Sequence, residues 1–229
     1  MREIGPVTAS SPRHGPDHDH PAHGRPGNGD DAAAWDEWYS DVDQVWSGRP
    51  NGALVAEVTG LAPGRALDVG CGEGADAVWL AEHGWDVTAL DVSQVALDRA
   101  ARHARHAGVT VRWVYAGLVE AALSPGGFDL VSAQYSALRR TPTAEAERAL
   151  LAAVAPGGVL LVVHHADVDA EHARSQGFDP ADDVQPGDVA ALLDDRWVVE
   201  VDETRARAVE GGAGAHHRLD QVLRARRRR

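Results

Sequence analysis

The chain has 229 residues, of which 44% are hydrophobic, enough for one domain with a sizeable core. Its formal net charge of -13 speaks against a nucleic-acid or anionic-membrane partner, and because all 22 basic residues are arginines, Schiff-base chemistry at a lysine is excluded. The single cysteine, Cys71, allows no internal disulfide, apolar runs such as Val159 to Val163 are too short to span a bilayer, and no apolar leader stands near Met1, so the expected location is cytoplasmic.

Residues 1–31 are rich in Pro, Gly, Asp and His without apolar periodicity, and read as a disordered tail ahead of one domain spanning 32–229. His14, His18, His20 and His23 match no structural metal spacing, so no metal is expected. Trp35, Trp38 and Tyr39 either form an amphipathic helix docking on the fold or reach a ligand, and Trp46 and Arg49 either join that packing or line a pocket. A strand ending in Asp68 and Val69 then breaks into glycines at 70, 72 and 74, and a helix over Ala75 to Glu82 stops at His83-Gly84. Asp86 to Leu90 is the second strand. Ser93 caps a helix running to Gly108, Thr110 to Tyr115 is the third strand, and a Ser124-Pro125-Gly126-Gly127 turn precedes a fourth from Phe128 to Gln134. Thr141-Pro142 is expected to open the next helix, and Pro156-Gly157-Gly158 to close it before a fifth strand from Val159 to His164. Asp167 to Asp188 reads as a mobile substrate lid, followed by strands over Trp197 to Val201 and Leu219 to Ala225. The four terminal arginines, Arg226 to Arg229, read as a frayed basic stub.

This alternation implies right-handed βαβ units and a Rossmann-like α/β fold, a doubly wound parallel sheet with helices on both faces and ligands at the strands' C-terminal edge. The glycine turn therefore marks the ligand site. Asp91, at the tip of the second strand, is placed to accept hydrogen bonds from a ribose diol. Gly70-x-Gly72-x-x-Ala75 also satisfies the loose dinucleotide fingerprint, but Asp68 and Glu73 would crowd a pyrophosphate with like charge.

The Leu67-Asp68-Val69-Gly70-Cys71-Gly72-Glu73-Gly74 segment resembles motif I of the class I S-adenosylmethionine-dependent methyltransferases. The strand from Phe128 to Tyr135 and the run from Leu150 to Leu160 resemble later motifs of that class. The segments Trp35-Asp36-Glu37-Trp38-Tyr39 and Val45-Trp46-Ser47-Gly48-Arg49-Pro50-Asn51 look like the N-terminal cap of small-molecule methyltransferases of the thiopurine and tellurite-resistance type. The resemblance implies an antiparallel final hairpin and S-adenosylmethionine as cofactor. It implies cofactor contacts at Trp46, Arg49, Asp68, Gly70, Cys71, Gly72, Gly74, Asp91, Val92, Gly117, Leu118, Ala133 and Gln134. Many members carry an acidic residue after the third strand to bind the adenine amine. Here Ala116-Gly117-Leu118-Val119 stands instead, leaving adenine to backbone groups and to packing from Leu118.

The expected activity is methyl transfer to a small molecule, at sulfur or a ring nitrogen, with no nucleic-acid or membrane partner. His164, His165 and Tyr135, at the ends of the fifth and fourth strands, are the catalytic candidates; alternation turns only one histidine squarely to the cleft. Each histidine reads equally as a hydrogen-bonded strand end, and pure orientation without a base remains open. His216 and His217 are weaker candidates, and Cys71 reads as a small packing residue. Two other functions compete: a nicotinamide-dependent reductase, and a non-catalytic S-adenosylmethionine-binding regulator.

Overall fold

A computed structural model describes Pro26 and residues 31–175, 177–207 and 216–229. The expected tail and the four histidines within it therefore lie almost wholly outside the described residues. Seven helices and seven strands follow in order among those described: α1 (Ala32–Ser40), α2 (Gly52–Val58), β1 (Arg65–Val69), α3 (Ala75–Glu82), β2 (Asp86–Asp91), α4 (Gln94–Ala107), β3 (Arg112–Tyr115), β4 (Phe128–Gln134), α5 (Glu145–Ala153), β5 (Val154–His165), α6 (Ala170–Ser175), α7 (Pro186–Ala190), β6 (Trp197–Ala206) and β7 (Leu219–Arg227). They build one sheet in the order β3-β2-β1-β4-β5-β7-β6. The first five strands are parallel, and β7 lies antiparallel between β5 and β6. This is the Rossmann-like architecture with its antiparallel final hairpin.

Alternation along the central strands sorts side chains into two cores. In β5, Val159, Leu161 and Val163 join one cluster with Leu54 of α2 and Leu80 of α3, whereas Leu160 and Val162 join another with Leu150 of α5 and Val189 of α7. Both faces are buried, which is why these strands read as nearly continuous apolar runs. The local signals behave as their chemistry requires. Ser93 caps α4 through its side chain, which accepts from the Ala96 amide, and Gly108 ends that helix in the left-handed conformation.

Three expectations need correction. The helix expected at Thr141-Pro142 begins only at Glu145, because Thr141 to Ala144 first form a turn, closed by the Ala144 amide on the Thr141 carbonyl and ending with Ala144 at φ 52°. Strand β5 begins at Val154 rather than Val159, and the Pro-Gly-Gly segment is accommodated as an irregularity in its pairing with β4. The terminal arginines are not a frayed stub. Arg226 and Arg227 belong to β7; Arg226 pairs with Glu200 at 2.5 Å, Arg227 donates to the Val154 carbonyl at 2.5 Å, and Arg228 donates to that of Asp195 at 2.9 Å.

The hairpin is also tied to α2. Glu57, buried on that helix, accepts from Arg205 at 2.6 Å and from Arg224 at 3.2 Å, linking α2 to β6 and β7. Replacing it by Gln leaves two half-buried guanidinium groups short of a charged acceptor, a loss of about 1–3 kcal/mol. Glu57→Gln is expected to lower the thermal midpoint by roughly 2–4 °C per kcal/mol. An unchanged midpoint by calorimetry would show that Glu203, Glu200 and water suffice for these arginines.

Candidate active site

The C-terminal edges of the parallel strands open into a cleft of about 1540 Å³, larger than the ~300–1,000 Å³ usual for one small ligand. Its floor is the turn after β1. Gly70 and Cys71 donate their amides to the Leu90 carbonyl at 2.9 and 3.0 Å, binding the turn to the end of β2. Gly72, at φ 51°, donates to Asp91 Oδ2 at 2.8 Å. A Cβ there would stand 2.9 Å from Tyr39 Oη and 3.1 Å from Trp46 Nε1, so this glycine makes room for the cap as well as for a ligand.

Four carboxylates are buried around the turn. Glu73 accepts from the Val45 and Trp46 amides and from Arg99 at 2.9 Å, and Arg99 also donates to the Tyr39 and Val42 carbonyls. Asp76 accepts from the Asn51 amide at 2.7 Å and from its side chain at 2.8 Å. Asp91 accepts from Gly72 and, through its other oxygen, from the Ser93 amide at 2.9 Å. Asp68 Oδ2 is buried without a hydrogen-bond partner among the described residues. Burial, reinforced by Asp76 and Asp91, holds the Asp68 carboxyl well above the usual carboxylate range. Burial likewise raises Asp76 and Asp91, against the hydrogen bonds that lower them.

The cap closes this end. Trp35 and Trp38 on α1 meet edge to face with centroids 5.5 Å apart, Trp38 lies 5.6 Å from Trp46, and Trp46 Nε1 donates to Tyr39 Oη at 3.0 Å. Trp35 and Trp38 are both buried packing residues and cleft-lining ones, so their two readings are compatible. Asp36 fixes α1 to α4 by accepting from Ser93 Oγ at 2.6 Å and from the Val95 amide at 3.1 Å.

At the opposite end stands a stack of flat side chains. His165 lies 4.3 Å from Tyr135 and 4.0 Å from His217, and His216 continues the stack at 4.1 Å from His217. Tyr135, at φ 52° in the left-handed region, donates from Oη to Asp220 Oδ2 at 2.9 Å and accepts from Arg207 Nε at 3.2 Å. Such a conformation is strained for an aromatic residue and is held by these surroundings. Burial, ahead of its neighbours' charges, raises the Tyr135 phenol and lowers His165. His217 is lowered to about 4 by burial and by His165 and His216, although its Nδ1 lies 3.1 Å from Asp167.

The predicted residues Trp46, Arg49, Asp68, Gly70, Cys71, Gly72, Gly74, Asp91, Val92, Gly117, Leu118, Gln134, Tyr135, His164 and His165 all line the cleft. Ala133 does not: it is fully buried in the core, one residue short of the strand end that reaches the opening. His164 is the more buried of the two histidines, and His165 is the one in contact with Asp220. Of the expected lid, Asp167, Val168, Asp169, His172, Ala173, Phe178, Pro180, Ala181 and Gln185 line the cleft, with α6 and a 3-10 turn over Pro180–Asp182 inside it. Sequence reading missed the partners of the charged groups: Asn51 for Asp76, Arg99 for Glu73, and Arg207 and Asp220 for Tyr135. Among the described residues no group of three or more His, Cys, Asp or Glu is arranged to hold a metal, and no helix is long and apolar enough to cross a membrane.

Residues 66–158 match the methyltransferase domain family model. An uncharacterized methyltransferase of Mycobacterium bovis is 36% identical over 123 residues, 53% of this chain and 61% of that protein, so the match spans about three fifths of the relative's length. Among solved structures, one concerned with conversion of a disulfide bond into a thioacetal group during echinomycin biosynthesis superposes with a TM-score of 0.65 at 25% identity, covering 86% of this chain and 91% of that one. N-methyltransferase NodS from Bradyrhizobium japonicum shares the fold, with a TM-score of 0.58 at 19% identity over 77% of this chain and 93% of its own.

The carboxylate cluster makes a signed prediction. A carboxyl whose folded value is raised contributes its full stability below the unfolded value of ~3.9 and loses it as pH rises through the folded value. Asp68, with one oxygen unpaired and its carboxyl raised by burial despite a backbone hydrogen bond from Ala77, therefore destabilises the ligand-free protein at neutral pH. Asp68→Asn is expected to raise the ligand-free melting temperature at pH 7 and to leave it nearly unchanged near pH 4. A variant melting below wild type at pH 7 would show that Asp68 is already compensated.

Proposed function

We propose that this protein is an S-adenosylmethionine-dependent methyltransferase acting on a small molecule, with sulfur or a ring nitrogen as the acceptor atom. The observation that carries the reading is the convergence of Asp68, Asp76 and Asp91 on the glycine turn, with one Asp68 oxygen unpaired. A buried anionic cradle with a bare acceptor suits a cationic aminocarboxylate nucleoside and opposes a pyrophosphate. When bound, S-adenosylmethionine supplies an electrophilic methyl group on a sulfonium.

The chain's residues suit that ligand. Asp91 keeps lone pairs free for a ribose diol while its oxygens accept from Gly72 and Ser93. Val92, Gly117 and Leu118 line the side of the cleft suited to an adenine, Leu118 by apolar packing. Trp46, Trp38 and Tyr39 offer aromatic surface over the turn and exclude water from it. Arg49 and Gln134 border the same end. The remaining volume, walled by Tyr135, His164, His165 and His172 and covered by the segment after β5, is the acceptor chamber. A chamber formed within the domain supports a small acceptor over a macromolecule, as does the cap's likeness to the thiopurine and tellurite-resistance enzymes. With its acidic charge the protein is proposed to act without nucleic-acid or membrane partners, in the cytoplasm.

Calorimetric titration with S-adenosylhomocysteine is expected to show tight binding by the wild type. Replacing Asp91 by Ala removes charge-assisted hydrogen bonds worth about 1.5–3 kcal/mol, which is roughly 10- to 150-fold in affinity. Equal affinity in that variant would move the ribose elsewhere. Binding of a reduced nicotinamide dinucleotide in place of the nucleoside thioether would overturn the cofactor. Binding without labelled-methyl transfer to any of a broad panel of thiols and heterocycles would favour a regulator.

A further inference from the structure

The stacked wall of the acceptor chamber contains a pair whose geometry is set by the sheet. His165 and Asp220 are direct partners in the antiparallel register of β5 and β7, so their side chains leave the sheet on one face, the face of α2 and α3. His165 Nδ1 and Asp220 Oδ1 are 3.7 Å apart; both atoms are buried, and neither has a hydrogen-bond partner among the described residues. Two unsatisfied atoms, one able to carry a proton and one able to accept it, are thus aimed at each other across a gap slightly longer than a hydrogen bond. Such gaps in ligand-free sites commonly tighten when the site fills.

Neither partner is free to turn away. Asp220 is held through its other oxygen by Tyr135 Oη at 2.9 Å, with Arg207 Nε 3.6 Å from Oδ1. The His165 ring is clasped between Tyr135 at an interplanar angle of 25° and His217 at 20°, which fixes its plane. We propose that Asp220 is a positioning residue that fixes His165 with its proton on Nδ1, leaving Nε2 as the base that takes a proton from the methyl acceptor. This rests on the methyltransferase reading above and adds a constraint on the substrate: the acceptor atom carries a hydrogen, as in a thiol or a ring N–H. As the acceptor's lone pair forms the bond to the methyl carbon, the carbon–sulfur pair stays with the thioether and the acceptor's proton passes to Nε2. Asp220 then faces an imidazolium rather than an imidazole.

The groups facing His165 are Asp220 from β7, Tyr135 beyond β4, Arg207 beyond β6, His217 ahead of β7, and Asp167 and His164 at the end of its own strand. Burial lowers the imidazole, Asp220 and Asp167 raise it, and Arg207 lowers it. The ring is therefore neutral at pH 7, the form a base requires.

Nitrogen-15 NMR of the imidazoles, with His165 assigned through His165→Gln, tests the proposal directly. The wild type is expected to show Nδ1 protonated and Nε2 bare. In Asp220→Asn the titration midpoint of His165 is expected to fall by about one unit, while affinity for S-adenosylhomocysteine is retained because Asp220 is not among the residues that line the cleft. A wild-type His165 protonated on Nε2 would overturn the pairing, and it needs no variant to fold. An unchanged midpoint in a folded Asp220→Asn would overturn it as well. Failure of the wild type to bind S-adenosylhomocysteine would instead overturn the methyltransferase reading, an outcome that the tautomer measurement does not share.

Discussion

Burying negative charge is the constraint on which this site is built. Around one glycine turn the fold places Glu73, Asp76 and Asp91, and each is stabilised by donors brought from elsewhere in the chain: cap amides and Arg99, Asn51, and the amides of Gly72 and Ser93. An ionised carboxylate left alone at such depth would be disfavoured by several kcal/mol, so these donors are required partners. Because Val45, Trp46 and Asn51 belong to the segment ahead of the sheet, satisfying the carboxylates also fastens the cap over the cleft. Electrostatic need and cap placement are one structural fact.

The antiparallel hairpin performs the corresponding task at the other end. Inserting β7 between β5 and β6 sets Asp220 beside His165 and brings Arg207 over the Tyr135 ring, 4.9 Å from its centroid. A parallel seventh strand would reach this edge in the opposite direction and could not supply the same residues. Glu57 on α2 holds Arg205 and Arg224 of that hairpin, so the chamber wall is anchored to the helix that follows the cap.

What could be read in the sequence was what depends on local chemistry. The glycine turn, Asp91 at a strand tip, the Ser93 cap and the Gly108 stop declare themselves by residue type and spacing, and the structure puts them where those rules require. Strand β5 revealed its two faces by a run of valine and leucine. Pairings set by distant register were invisible: nothing in spacing joins Asn51 to Asp76, Arg99 to Glu73 or Asp220 to His165. The same limit explains the terminal arginines, whose composition suggests a solvated end but whose pairing with Glu200 and the backbone of β5 depends on the hairpin register. Ala133 shows how fine the margin is. One position along β4 separates a core side chain from Gln134 at the cleft.

The uneven satisfaction of the acidic cluster bears on catalysis under the proposed function. During methyl transfer, positive charge leaves the glycine-turn end and appears at the acceptor end. Four bare carboxylates at the origin would stabilise the starting charge more than the transition state and so slow the reaction, since only preferential stabilisation of the transition state accelerates it. Three of the four are instead drawn into hydrogen bonds with the cap and the turn, which disperses their charge, and only Asp68 presents an unshared oxygen. At the destination, Asp220 lies behind His165 in a buried, low-dielectric setting where a single carboxylate has a large effect. The cleft therefore holds most of its negative charge at the binding end in neutralised form. At the acceptor end it keeps one carboxylate aligned with the group on which the new charge would settle.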